Sequence, residues 1–116
     1  MIRLSIILTT FITLFYIGTP EARADCDSIR CVGKIERIYL DRTWVNISTD
    51  GQEANLNCTL AIAQSGGQGY VRLHKTHENY QAIYSTLLSA KIANMPVNIR
   101  ISTGSADCAV AYVVLE

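Results

Sequence analysis

Four cysteines carry the clearest chemistry in this chain: Cys26, Cys31, Cys58 and Cys108. Their spacing is C-x4-C followed by gaps of 26 and 49 residues, with no paired C-x2-C knuckles. That pattern does not suit a zinc site, which gathers its ligands in closely spaced pairs. The absence of C-x-x-C also argues against a catalytic thiol. An even count in a short exported domain reads as two disulfides. The other reactive side chains form no catalytic constellation. His74 and His77 stand three apart beside a helix start, where a metal or pH-sensing role competes with that of solvated loop residues. Ser48, Ser85, Ser89, Ser102 and Ser105 lie in no G-x-S-x-G context. Asp41, Asp50, Glu53 and Asp107 fall at turns, where carboxylates cap and solvate, and nothing groups them as a glycosidase pair. The sequence therefore implies no enzyme, no metal and no cofactor.

Side chains suited to ligand binding are easier to find. Trp44, Asn46 and Ser48 alternate on one face of an extended segment, with Val45 and Ile47 on the other. The sole tryptophan has a face that can stack on a sugar ring, or it can pack under a helix or at a subunit contact. Tyr70 and Arg72 lie near a flexible glycine-rich loop and complete the candidate ligand set: Trp44, Asn46, Ser48, Tyr70 and Arg72. Tyr39, Tyr70 and Tyr112 also have plain structural uses. Asn46-Ile47-Ser48 and Asn57-Cys58-Thr59 are glycosylation sequons, relevant only in a eukaryotic source.

The elements that must position these residues begin after an export signal. Arg3 precedes a 15-residue apolar run, Leu4 to Gly18, and Ala22-Arg23-Ala24 follows as a small-x-small cleavage site. The run is short of the about 20 residues that a membrane helix needs. Residues 1–24 are expected to be removed, leaving a single domain, 25–116, of 92 residues with no membrane span. That domain carries eight basic and nine acidic residues without a basic stripe, which argues against nucleic-acid binding.

Strands are expected over 32–40, 44–49 and 54–62, the last two joined at Asp50-Gly51. A short apolar fragment follows at 70–73. Thr76 is expected to cap one amphipathic helix over about 77–94, whose stripe is Tyr80, Ile83, Tyr84, Leu87, Leu88 and Ile92. Asn94 and Pro96 end it. Strands over 97–102 and 108–115 close the domain, the last apolar on both faces and so placed mid-sheet or at a subunit contact. The class is mostly β with one helix, α+β. Five strands with a helix between strands 3 and 4 is the order of a five-stranded OB-fold-like barrel; a plain α+β roll shares that order. In the barrel, strands three and five are neighbours. A Cys58–Cys108 bond there would close a loop worth about 4 kcal/mol in the chain-entropy model, with Cys26–Cys31 as a local ring. The alternative pairs Cys26 or Cys31 with Cys108.

The chain resembles the pentameric B subunits of bacterial AB-type toxins of the subtilase-cytotoxin and typhoid-toxin kind. The likeness runs through Gly33-Lys34-Ile35, Trp44-Val45-Asn46-Ile47 and Asn57-Cys58-Thr59. It is strongest from Tyr84 to Ala90 into Met95-Pro96-Val97-Asn98-Ile99-Arg100-Ile101. In that family the second strand has a cysteine; here Cys26 and Cys31 precede the first strand instead, and the family's sugar-binding loop has no clear counterpart. The resemblance implies a secreted or periplasmic, non-enzymatic module that recognises cell-surface glycan as a homo-oligomer, a ring of five, beside an enzymatic A subunit. The rival expectations are a small periplasmic inhibitor or stress protein and, behind it, a small hydrolase.

Overall fold

The structure is a computed structural model, and it describes residues 24–58 and 69–116. The expected export signal lies outside the described residues, apart from Ala24 at its end. Among the described residues there are six strands and one α-helix: β1 (Asp25–Cys26), β2 (Arg30–Leu40), β3 (Trp44–Thr49), β4 (Val71–His74), α1 (Tyr80–Ala93), β5 (Pro96–Ile101) and β6 (Val110–Leu115). They form one antiparallel sheet in the order β4-β3-β2-β5-β6, with β1 paired to β2. The fold is mostly β with a single helix between the third and fourth main strands.

β2 is the spine. Its first half, Arg30 to Lys34, pairs with β5, and its second half, from Ile35, pairs with β3. The switch between partners coincides with a bulge: Ile35 faces Thr49 and Arg37 faces Ser48, so Glu36 is the extra residue. Lys91 of α1 donates to the backbone oxygens of Ile35 (3.4 Å) and Glu36 (3.1 Å), satisfying carbonyls at the irregularity.

Alternation builds the core. Val45 and Ile47 of β3, Val71 and Leu73 of β4, and Val97, Ile99 and Ile101 of β5 are buried and face inward. Ile83, Leu87 and Ala90 of α1 pack against them. Ile92, expected in the helical stripe, is 85% exposed. At about 100° per residue it stands about 140° around the helix from Leu87, and Ala90 takes the inward place. Asn94 ends α1 in the left-handed conformation (φ 54°), and Met95 N–H reaches Ala90 O at 2.9 Å. Asn79, not Thr76, precedes the first helical turn; Thr76 lies before it in a turn whose His77 N–H bonds His74 O.

Two expectations about strands fail. No strand runs from residue 54. Glu53–Asn55 forms a single 3-10 turn instead, and residues 59–62 lie outside the described set. The cause is Glu53. Its Oε1 accepts from the Thr49 N–H (2.5 Å) and the Thr49 hydroxyl (2.6 Å), which pulls the chain back under the end of β3. Asn55 Nδ2 on Cys26 O and Asn57 N–H on Ser28 O then tie this segment to the N-terminal hairpin. The short fragment at 71–74 is the strand that flanks β3. The last strand starts at Val110 rather than Cys108, because Cys108 is left-handed (φ 52°). It lies at a sheet end, not mid-sheet, and exposes Tyr112, Val114 and Leu115.

Both disulfides, Cys26–Cys31 and Cys58–Cys108, are formed. The first joins directly opposed residues of β1 and β2. The second ties the segment after the 3-10 turn to the chain before β6. β4 meets the residue just before β6 at an isolated parallel bridge, Arg72 to Ala109, with Arg72 N–H on Cys108 O at 3.0 Å. The sheet therefore curls without closing as a continuous ladder, short of the sealed barrel expected. Among the described residues no helix is long and apolar enough to cross a membrane.

Candidate functional site: a polar sheet face and the cleft at its end

Register decides which side chains share the outer face of the sheet. Tyr39 lies opposite Asn46 and Arg37 opposite Ser48; across β3, Trp44 lies opposite His74 and Asn46 opposite Arg72. Since strand neighbours alternate, one face carries Arg37, Tyr39, Trp44, Asn46, Ser48, Arg72 and His74. The other presents Ile38, Val45, Ile47, Val71 and Leu73 to the core.

Three of the five residues singled out in the sequence touch one another there. The Arg72 guanidinium lies 4.0 Å from the centre of the Trp44 ring, and its Nε donates to Asn46 Oδ1 at 3.1 Å. Cation–π stacking and the hydrogen bond hold Arg72 flat over β3 and bury Asn46 beneath it. His74 meets the edge of Trp44 and pairs with Asp107. It is thus a half-buried tie between β4 and the turn before β6, not a solvated loop residue. His77 likewise bonds Ala111 O through Nε2 at 2.9 Å. Tyr70, the fourth residue, is half-buried and receives a hydrogen bond from Arg37 Nη1 at 3.0 Å.

Ser48, the fifth, belongs to a different feature. It lines a cleft of about 350 Å³ beyond the end of the polar face, together with Glu36, Thr49, Asp50, Gln52 and Glu53. The volume lies in the range of small-ligand sites. Three local devices build it. The β2 bulge places the extra residue Glu36 at the rim. Asp50 is locked at both ends, its N–H on Lys34 O (2.9 Å) and its Oδ1 accepting the Lys34 N–H (2.8 Å). Gly33 permits this approach: a Cβ there would stand 2.3 Å from Asp50 Oδ1. The 3-10 turn holds Glu53 as the floor.

Two of the lining groups are buried polar atoms. Ser48 is 3% exposed, and its hydroxyl has no hydrogen-bond partner among the described residues. Glu53 is 4% exposed. Burial pushes its carboxyl above the ordinary value, the Thr49 hydrogen bonds pull back, and the nearby Glu36 charge adds to the rise. Sequence reading placed Asp50 and Glu53 among solvated turn carboxylates. A glycine such as Gly33 can signal a bulge or a close approach in this strand, and the structure shows the close approach there; that the extra residue is Glu36 follows only from how β2 pairs with β3. The only group of metal-ligating atoms among the described residues is Cys26, Cys31 and Glu53. Both sulfurs there are committed to the disulfide, so the cluster offers one carboxylate and no thiolate.

Compared with protein-family models, with curated proteins and with solved structures, the chain finds no match.

Proposed function

We propose that this chain is an exported, non-enzymatic binding module that recognises carbohydrate, built as an OB-type barrel and working as a homo-oligomer in the manner of toxin B subunits. The observation that carries this reading is the cleft of about 350 Å³ at the end of β3, rigidly built and lined by hydrogen-bonding side chains. It lies at the end of a polar face on which the Arg72 guanidinium lies over the Trp44 ring. Sugars are recognised by convergent polar groups, which the cleft supplies; Trp44 stands at the other end of β3, about 13 Å from Ser48 at about 3.3 Å per residue. Export is supported by two disulfides, the chemistry of an oxidising compartment. The barrel reading is supported by the strand order and by the parallel bridge from β4 to the residue just before β6. The exposed Tyr112, Val114 and Leu115 on the terminal strand offer an apolar seam for a second copy. An exported enzymatic subunit is the partner such a ring would carry. The test is a glycan array probed with the disulfide-bonded protein, alongside its mass by light scattering. A saturable hit and a mass several times that of the monomer are expected. A monomer with no hit above background refutes the proposal.

A further inference from the structure

We infer that the sugar this cleft accepts is not an acidic one, and that a free amino sugar fits it best. This rests on the carbohydrate reading above and narrows it by charge. Three carboxylates, those of Glu36, Asp50 and Glu53, line the cleft, and among the described residues no lysine, arginine or histidine does. Of the cations nearest in the chain, Arg37 donates to Tyr70 and Lys91 donates to the backbone oxygens of Ile35 and Glu36. Lys34 meets Asp50 through its backbone N–H, and its side chain is not part of the lining. A carboxylate sugar entering here would meet like charge with no compensating donor.

A carboxylate cluster alone would say nothing about a ligand. The second observation is Ser48: a buried residue of the lining whose hydroxyl has no partner among the described residues. A buried polar group left without a hydrogen bond is costly, so its capacity is available to whatever fills the cleft. Asp50 has Oδ1 occupied by the Lys34 N–H, which fixes the carboxyl group. Glu36 is exposed at the rim with its backbone anchored by Lys91. Carboxylates are acceptors only. The lining thus asks for a ligand rich in donors, and hydroxyls with an ammonium group satisfy it better than hydroxyls alone.

The experiment uses three sugars of one shape and different charge: glucosamine, glucose and glucuronate. Each is titrated into the disulfide-bonded full chain, and binding is followed by backbone amide NMR at low ionic strength. The expected result is that glucosamine shifts the amides of Ser48, Gln52 and Glu53 at concentrations roughly tenfold below those for glucose, and that glucuronate is silent there. The preference is expected to shrink in added salt, which screens exposed charge. Glu36→Gln, at the exposed rim, is expected to reduce the glucosamine preference while leaving the spectrum folded. Ser48→Ala is expected to weaken both glucosamine and glucose. Glucuronate binding as well as glucosamine, an unchanged preference in Glu36→Gln, or calcium chloride alone shifting the same amides would overturn the inference. Sugar-induced shifts confined to Trp44 and Tyr70 would also overturn it while sparing the carbohydrate reading. Silence of all three sugars at every amide, together with an empty glycan array, removes both.

Discussion

Removing the Glu53 side chain tests whether one buried carboxylate shapes the segment after β3. In Glu53→Ala the Thr49 N–H and hydroxyl both lose their acceptor in a buried place. Each unsatisfied donor costs about 1–3 kcal/mol, so the loss is about 2–5 kcal/mol after partial hydration. For a domain of this size that lowers Tm by on the order of 10–25 °C. Glu53→Gln keeps an oxygen for both donors and removes the ionisable charge. Burial holds the Glu53 carboxyl above its ordinary value of 4.5, so the folded state binds this proton more tightly than the unfolded state. The stability that goes with it is complete below pH 4.5 and is lost as pH rises through the raised folded value. The Gln variant lacks this loss. Its Tm, measured by circular dichroism from pH 4 to 8, is expected to gain on the native protein as pH rises, while the Ala variant stays far below at every pH. An Ala variant melting within a few degrees of the native protein would refute the account of how the chain turns after β3. Parallel pH profiles for Gln and native protein would refute the account of the buried charge.

Gly33→Ala places a methyl group 2.3 Å from Asp50 Oδ1; displacing that carboxylate is expected to cost about 1–3 kcal/mol by urea denaturation and to abolish ligand shifts at the cleft. Leu87→Ala opens a void where a fully buried helix side chain meets the sheet, with an expected loss of about 2–5 kcal/mol on the same assay. Replacing Cys58 and Cys108 together by Ser releases a link between residues 50 apart. The expected loss by urea denaturation is at least about 4 kcal/mol, because Cys108 is also fully buried in the core and a serine hydroxyl there adds a buried polar group.

The sequence was legible wherever side-chain period and burial agree. β3 falls at Trp44–Thr49 as its alternation requires, and β5 follows the alternation of Val97, Ile99 and Ile101. Asn94 and Pro96 end the helix as their backbone preferences dictate. The error at 54–62 has a physical source. Ala54, Leu56 and Cys58 alternate as a strand should, but alternation carries no information about Glu53, whose hydrogen bonds to Thr49, four residues back, outweigh strand preference. The pairing of Trp44 with Arg72 was accessible in part, since both were singled out, yet their contact depends on a register that only β4 supplies. Ser48 shares the outer face with Trp44 and Asn46, as alternation predicts, and at the end of β3 it also lines the cleft. Glu36 was invisible because a bulge is a property of two strands together, not of either one.

The bulge also explains why the cleft and the polar face share one region of the molecule. β2 has two tasks, pairing β5 with its first half and β3 with its second. A strand that changes partner must shift its twist, and an extra residue is the local way to do so. That residue is Glu36, and the carbonyls exposed by the irregularity are covered by Lys91 from the helix. On the opposite strand, the chain leaving β3 at Thr49 cannot continue alongside a bent partner. It folds back through Asp50 and Glu53, both anchored on backbone N–H groups of β2 and β3. The cleft is the space left between a strand that bends and a loop fastened beside it. Its lining is acidic because acceptors are what free backbone donors at such a junction recruit. The same structural need that fixes Asp50 and Glu53 in place also sets the charge a ligand must match.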